Sequence, residues 1–181
     1  MDRKKNFIWI DLEMTGLQPE KHVILEVASI ITDSQLNVLA TGPELILHQP
    51  AAELEKMDSW VRETHTKSGL IESVRLSTIT EADSEEQLFD FFKQYCDENT
   101  ALLAGNSVWQ DRNFLYKYMP SLVDYCYYRV LDVTAIKEVV ARWYPEEPHS
   151  EFKKKDAHRA LDDIKESIEE LKHLRKYFFK K

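Results

Sequence analysis

Asp11 and Glu13 stand two residues apart in the run Phe7-Ile8-Trp9-Ile10-Asp11-Leu12-Glu13. Side chains at i and i+2 of a strand share a face, with Cα atoms about 6.6 Å apart. Two carboxylates held there repel each other unless a cation lies between them. Mg2+ and Mn2+, hard ions that prefer oxygen donors, fit such a pair. The apolar residues before Asp11 suggest a central, buried strand; on an edge strand the same two acids would simply be solvated. Asp111 is the second candidate. Ser107 and Gln110 have capping-box spacing, which predicts a helix from Val108 with Asp111 in its first turn. An acid at that position also complements the helix dipole without any further role. The third signal is His158-Arg159-Ala160-Leu161-Asp162-Asp163. Five residues turn a helix by about 500°, so His158 and Asp163 do not share a helical face. His158 then belongs to a loop or first turn and an aspartate to the helix, and geometry does not choose between Asp162 and Asp163.

Each signal is weak alone. Together, acids on a strand end and two helix starts could converge with one histidine at one edge of a sheet. Two divalent ions about 3.5–4 Å apart can grip the attacking and leaving oxygens of a phosphodiester. Histidine suits the removal of a proton from the attacking water, because its unperturbed pKa lies near neutrality.

The elements that must position these groups are legible as patterns. Phe7 to Leu12, Val23 to Thr32 and Glu44 to His48 read as strands, separated by turn signals at Gly16 to Pro19 and Asp33 to Asn37. An antiparallel meander follows. Glu53 to Thr64 has helical character, and Ser84 to Tyr95 places Leu88, Phe91, Phe92 and Tyr95 on one face. Ala101 to Ala104 reads as a short buried strand, followed by a helix with Phe114, Leu115, Tyr118 and Met119 inward. Val130 to Asp132 is another short strand, and Ile136, Val139, Val140 and Trp143 mark the next helix. Ala160, Ile164, Ile168, Leu171, Leu174 and Phe178 form the apolar stripe of the last one. The expected fold class is α/β: a mixed sheet, antiparallel meander first and alternating helices and strands after, flanked by helices.

Composition bounds the rest. The 181 residues, 43% of them hydrophobic, fit one globular domain over 1–181. Only four glycines are present, so regular structure should dominate. No apolar run approaches the roughly 20 residues that span a bilayer, and the N-terminal start lacks the apolar region of a signal peptide. Cys96 and Cys126 have no paired spacing and read as reduced thiols, which points to the cytoplasm. A net charge of −8 argues against tight binding of long duplex nucleic acid, which relies on many phosphate contacts. A short oligonucleotide offers few phosphates and escapes that objection.

The segments WIDLEMTGL, GNSVWQDRNFL and HRALDDI resemble the three acidic motifs of the DEDD exonuclease superfamily, histidine subtype. The resemblance implies a ribonuclease H-like fold and 3′-to-5′ phosphodiester hydrolysis. It implies two divalent metal ions, Mg2+ or Mn2+, held by Asp11, Glu13, Asp111 and Asp163, with His158 as general base. The spacing of its third motif selects Asp163 over Asp162. Asp11 would bridge the ions, Glu13 and Asp163 would serve the one nearer the attacking water, and Asp111 the other.

MDSWVRETHTKSGL and YYRVLDVTAIKEVVARWYP extend the likeness to a branch of that superfamily acting on very short RNA, over about Phe7 to Phe178. By that likeness Leu17 and Trp60 would sandwich two bases, though Trp60 could instead be a core helix residue. His65 would contact substrate, or else lie on the surface. Ser107, Arg129 and Thr134 would cap a 5′ phosphate: Arg129 can make paired bonds to phosphate, and a helix N-terminus at Ser107 favours anions. Ala135 departs from the small hydroxyl residue usual after Thr134. Tyr128 would reach in from a second subunit, which implies a homodimer. Lys153 to Lys155 could steer phosphate or be a solvated charge run. The expected substrates are short 5′-phosphorylated RNAs, diribonucleotides above all, because a capped 5′ end closes the groove to longer chains.

Overall fold

A computed structural model describes residues 2–152 and 159–179. His158 and Lys153 to Lys155 lie outside the described residues. In chain order the elements are β1 (Phe7–Met14), β2 (Ile24–Thr32), β3 (Val38–Thr41), β4 (Leu45–Ile46), α1 (Ala51–Leu54), α2 (Ser59–Lys67) and α3 (Leu70–Leu76). Then follow α4 (Glu81–Tyr95), β5 (Leu102–Gly105), α5 (Val108–Tyr118), α6 (Pro120–Tyr125), β6 (Val130–Asp132), α7 (Val133–Trp143) and α8 (Ala160–Phe178).

The sheet runs β3-β2-β1-β5-β6, with β4 also paired to β2. β1, β2 and β3 are antiparallel neighbours, while β5 and β6 join parallel to β1. This is the expected mixed α/β sheet, with β1 central and covered on both faces. Parallel pairing requires crossovers, and helices supply them.

The period of two along β1 divides the core. Ile8, Ile10 and Leu12 pack with Leu88 and Phe92 of α4 and Phe114 and Leu115 of α5. Trp9 points the other way, to Val133 and Val140 of α7 and Ile164, Ile168, Leu171 and Leu174 of α8. Trp9 Nε1 donates to Thr32 Oγ1 at 2.9 Å, which satisfies the one polar atom of that buried ring.

Several boundaries differ from the sequence reading. β3 was not expected: it is a short strand with no buried residue, so it lacks an apolar signal. The helix expected over Glu53 to Thr64 is two helices. The first ends at Leu54, and Asp58 caps the second by accepting from Val61 N at 2.8 Å. On α7 only Val140 of the apolar marks near the C-terminus is buried; Val139 and Trp143 are exposed. Among the described residues no helix is long and apolar enough to cross a membrane.

Candidate active site

Because side chains alternate along β1, Asp11 and Glu13 share the face of Trp9, the face that α8 covers. The first turn of α8 carries Asp162 and Asp163. One oxygen each of Asp11, Glu13 and Asp163 lie within 4.8 Å of one another. Asp162 points away, exposed, and pairs with Lys165 at 2.9 Å. The choice that helical geometry left open is thus made by packing: Ile164 and Ile168 enter the core, and Asp163 comes beside the strand end.

Asp111 arrives from the other layer. It is buried on the first turn of α5, and its Oδ1 accepts from Leu12 N at 3.0 Å, between the two acids of β1. It stays in the first turn of α5, where an acid also complements the helix dipole. It also stands outside the close trio. Burial, then the charges of Asp163, Glu26 and Asp111, push Glu13 from an ordinary 4.5 up to about 8. Burial likewise raises Asp111 from 3.8 to about 8, against the Leu12 N–H that favours its charged form. A cluster of half-buried carboxylate oxygens, in which the charge of Glu13 is unfavourable, with buried Asp111 beside it, fits a hard divalent cation.

His65 is no surface residue. It is buried on α2, its Nε2 donating to Met14 O at 3.0 Å and its Nδ1 3.8 Å from Glu13 Oε2. A carbonyl can only accept, so Nε2 carries the proton. Leu17 and Trp60 are 68% and 66% exposed, which removes the alternative of Trp60 as a core residue. Leu17 sits on a built loop. Its carbonyl accepts from Gln110 Nε2 of α5 at 2.5 Å, and the His22 ring packs within 2.6 Å of where a Cβ on Gly16 would stand, so only glycine fits there.

Ser107 differs from its expected role. It has φ 51° and makes no capping bond, so the capping box is absent although the helix begins at Val108 as expected. Asp132 does the work instead: its Oδ1 accepts from Ser107 N at 3.0 Å and from Thr134 N at 3.0 Å, tying the starts of α5 and α7 to the end of β6. Ser107 Oγ and Thr134 Oγ1 meet at 3.3 Å, and Thr134 Oγ1 donates to Asn106 Oδ1. Asn106 in turn donates to Ser167 and to buried Glu170 of α8. Ser107 and Thr134 are therefore brought together. Arg129 precedes β6, at the other end of that strand, and its guanidinium lies over the exposed Tyr128 ring. Asn106 and Glu26 were missed by sequence reading; their partners on α8 and at its head lie 61 or more residues away.

The raised carboxyls fix a pH dependence. In the metal-free chain each stays protonated until about pH 8, whereas unfolding returns it to its ordinary value. Stability from these groups is full below about pH 4 and is lost as pH rises through 8. A bound cation favours the ionised forms, so Mn2+ should raise the melting temperature more at pH 8.5 than at pH 5.5. Thermal melts with and without Mn2+ check this; a shift equal at both pH values would contradict the assignment.

Residues 8–171 match the RNase_T exonuclease family model. By structure the chain is similar to exonuclease I, at TM-score 0.71 and 18% identity, covering 95% of this chain and 41% of that one. That likeness establishes a ribonuclease H-like fold. The chain belongs to the exonuclease family. It is 53% identical over 176 residues to an oligoribonuclease of Vibrio parahaemolyticus, covering 97% of both chains. It is 52% identical over 177 residues to one of Haemophilus influenzae, covering 98% of this chain and 97% of that one. Within the family it therefore belongs to the oligoribonucleases, hydrolases of the 3′-to-5′ exoribonuclease kind.

Proposed function

We propose that the chain hydrolyses short 5′-phosphorylated oligoribonucleotides, diribonucleotides above all, from the 3′ end to nucleoside 5′-monophosphates. The observation that carries this is the convergence of Asp11, Glu13 and Asp163 within 4.8 Å, with Asp111 bonded to the strand between the first two. These four would hold two ions, Mg2+ or Mn2+. When bound, such ions supply Lewis acidity and offset the charge of a phosphodiester. The protein's own groups do the remainder. Exposed Leu17 and Trp60 offer apolar faces on which bases of any sequence stack. His65 is close enough to the carboxylates for a role in orienting substrate. Ser107 and Thr134, whose backbone N–H groups Asp132 ties together, would turn their hydroxyls from each other and from Asn106 to a terminal phosphate, with Arg129, at the other end of β6, as a further cation. His158 would accept the proton of the attacking water.

Closing the 5′ end of the groove in this way would restrict substrates by length. The acidic chain, at −8, supports the same restriction. A homodimer is the proposed assembly: Trp109, Tyr116 and Tyr128 are all more than half exposed, apolar surface that a second copy would cover. Tyr128 would then complete the partner's site. Buried, unpaired Cys96 and Cys126 suit a cytoplasmic setting.

Turnover with Mg2+ tests the reading. A 5′-phosphorylated diribonucleotide should be cut much faster than a long single strand of RNA; comparable rates would defeat the length restriction. Repeating the assay at dilutions where sedimentation gives a monomer should lose activity, and a fully active monomer would remove Tyr128 from the site.

A further inference from the structure

Glu26 is a carboxylate inside an apolar strand, in Ile24-Leu25-Glu26-Val27-Ala28, and it is fully buried. In the β1–β2 register it lies directly opposite Glu13, and such cross-strand partners stand side by side on one face. A buried charge there requires a partner. Arg159 provides it: Nε lies 3.1 and 3.2 Å from the two Glu26 oxygens and Nη2 2.6 Å from Oε1. Glu26 Oε2 also accepts from Ala160 N at 3.3 Å. This gives α8 the cap its own N-terminal residue, Arg159, does not make. Arg159 Nη2 reaches a second acid, Glu44, at 2.8 Å.

Arg159 and Glu13 are near enough for their charges to act on each other. A guanidinium is a permanent cation. Beside carboxylates that hold a metal it is a competitor for them, unless other acids occupy it. We propose that Glu26 is a positioning residue for the metal site: it binds Arg159 through both oxygens, keeps that guanidinium off Glu13, and caps the helix that presents Asp163. The inference rests on the reading of Asp11, Glu13 and Asp163 as metal ligands. An ion pair with only a structural role would alter stability and leave metal affinity unchanged.

Calorimetric titration of Mn2+ into the full chain, without substrate and at one pH, separates these. Glu26→Gln keeps the shape and an oxygen for the Ala160 N–H but removes the charge. Its Mn2+ affinity should fall by about 10- to 100-fold, the range for groups that orient metal ligands. Adding Arg159→Met removes the competitor together with the charge that balanced it, and affinity should return to near the wild-type value. Equal affinity of wild type and Glu26→Gln overturns the proposal, and so does a double variant as weak as the single one. A wild-type chain that binds no Mn2+ brings down the metal-ligand reading and the proposal with it, a result distinct from the other two. If Glu26→Gln does not melt cooperatively, Glu44→Gln replaces it at the more exposed end of the guanidinium. Weaker binding that Arg159→Met restores is then expected, and unchanged affinity is fatal.

Discussion

Asp11→Asn should lower kcat on a 5′-phosphorylated diribonucleotide by ~10³-fold or more at saturating Mg2+, with the fold intact. Asparagine keeps the size of aspartate and offers one neutral oxygen, so packing against β2 and α8 is preserved. What it removes is a full negative charge from a trio whose oxygens lie within 4.8 Å. Lewis-acid stabilisation of a phosphoryl transition state is worth several kcal/mol, and each 1.36 kcal/mol is tenfold in rate. The loss should therefore reach three decades even if one ion is retained by Glu13 and Asp163. Raising Mg2+ should not restore the rate, because added ion does not replace the carboxylate charge that Asp11 would contribute to holding it. Steady-state kinetics over a range of Mg2+, with thermal melts as the control for folding, measures this. A rate within tenfold of wild type would take Asp11 out of the site.

Much of this site was visible in the chain because its geometry is local. Asp11 and Glu13 follow an apolar run, and the period of two alone puts them on one face. The structure only adds that the face is the one under α8. The start of α5 at Val108 was also legible, but for a reason that proved wrong. Ser107 has a left-handed backbone and makes no cap; the donor side is satisfied by Asp132, 25 residues further on. A spacing rule locates a helix end without identifying what satisfies it. Asp162 and Asp163 could not be separated by helical geometry, since adjacent residues differ by about 100° and the direction of the core was unknown. The burial of Ile164 and Ile168 settles that direction.

The features that escaped are those fixed by distant partners or by weak local patterning. β3 has no buried residue and pairs with β2 only through a bulged register. α6 is a single short segment opening on Pro120. Glu26 sits in a strand that reads as a buried apolar run, and its partner is 133 residues away. Such a charge is invisible to pattern and becomes intelligible only once α8 is seen to end on it. The same separation holds for the site itself: Asp163 on α8 lies 150 or more residues from Glu13 and Asp11 on β1 and meets them only through tertiary packing.

His158→Ala should lower kcat by ~10² to 10⁴, the usual worth of a positioned general base, with little change in dinucleotide affinity. His158 immediately precedes Arg159, which Glu26 anchors at the head of the helix carrying Asp163. A rival base exists in His65, 3.8 Å from Glu13. His65 is the poorer candidate on geometry. It is buried, its Nε2 donates to Met14 O, and its remaining nitrogen faces a carboxylate proposed to hold metal. A proton taken up there would bind it to Glu13 as an ion pair and compete with the cation. The two readings separate in the pH–rate profile. A base works when neutral, so the wild-type rate should climb through the histidine range, near pH 6.5 for an unperturbed ring. His158→Ala should lose that limb along with the rate, and His65→Ala should retain the limb while weakening substrate binding. If His158→Ala kept both its rate and its limb, the proton would have to go to His65.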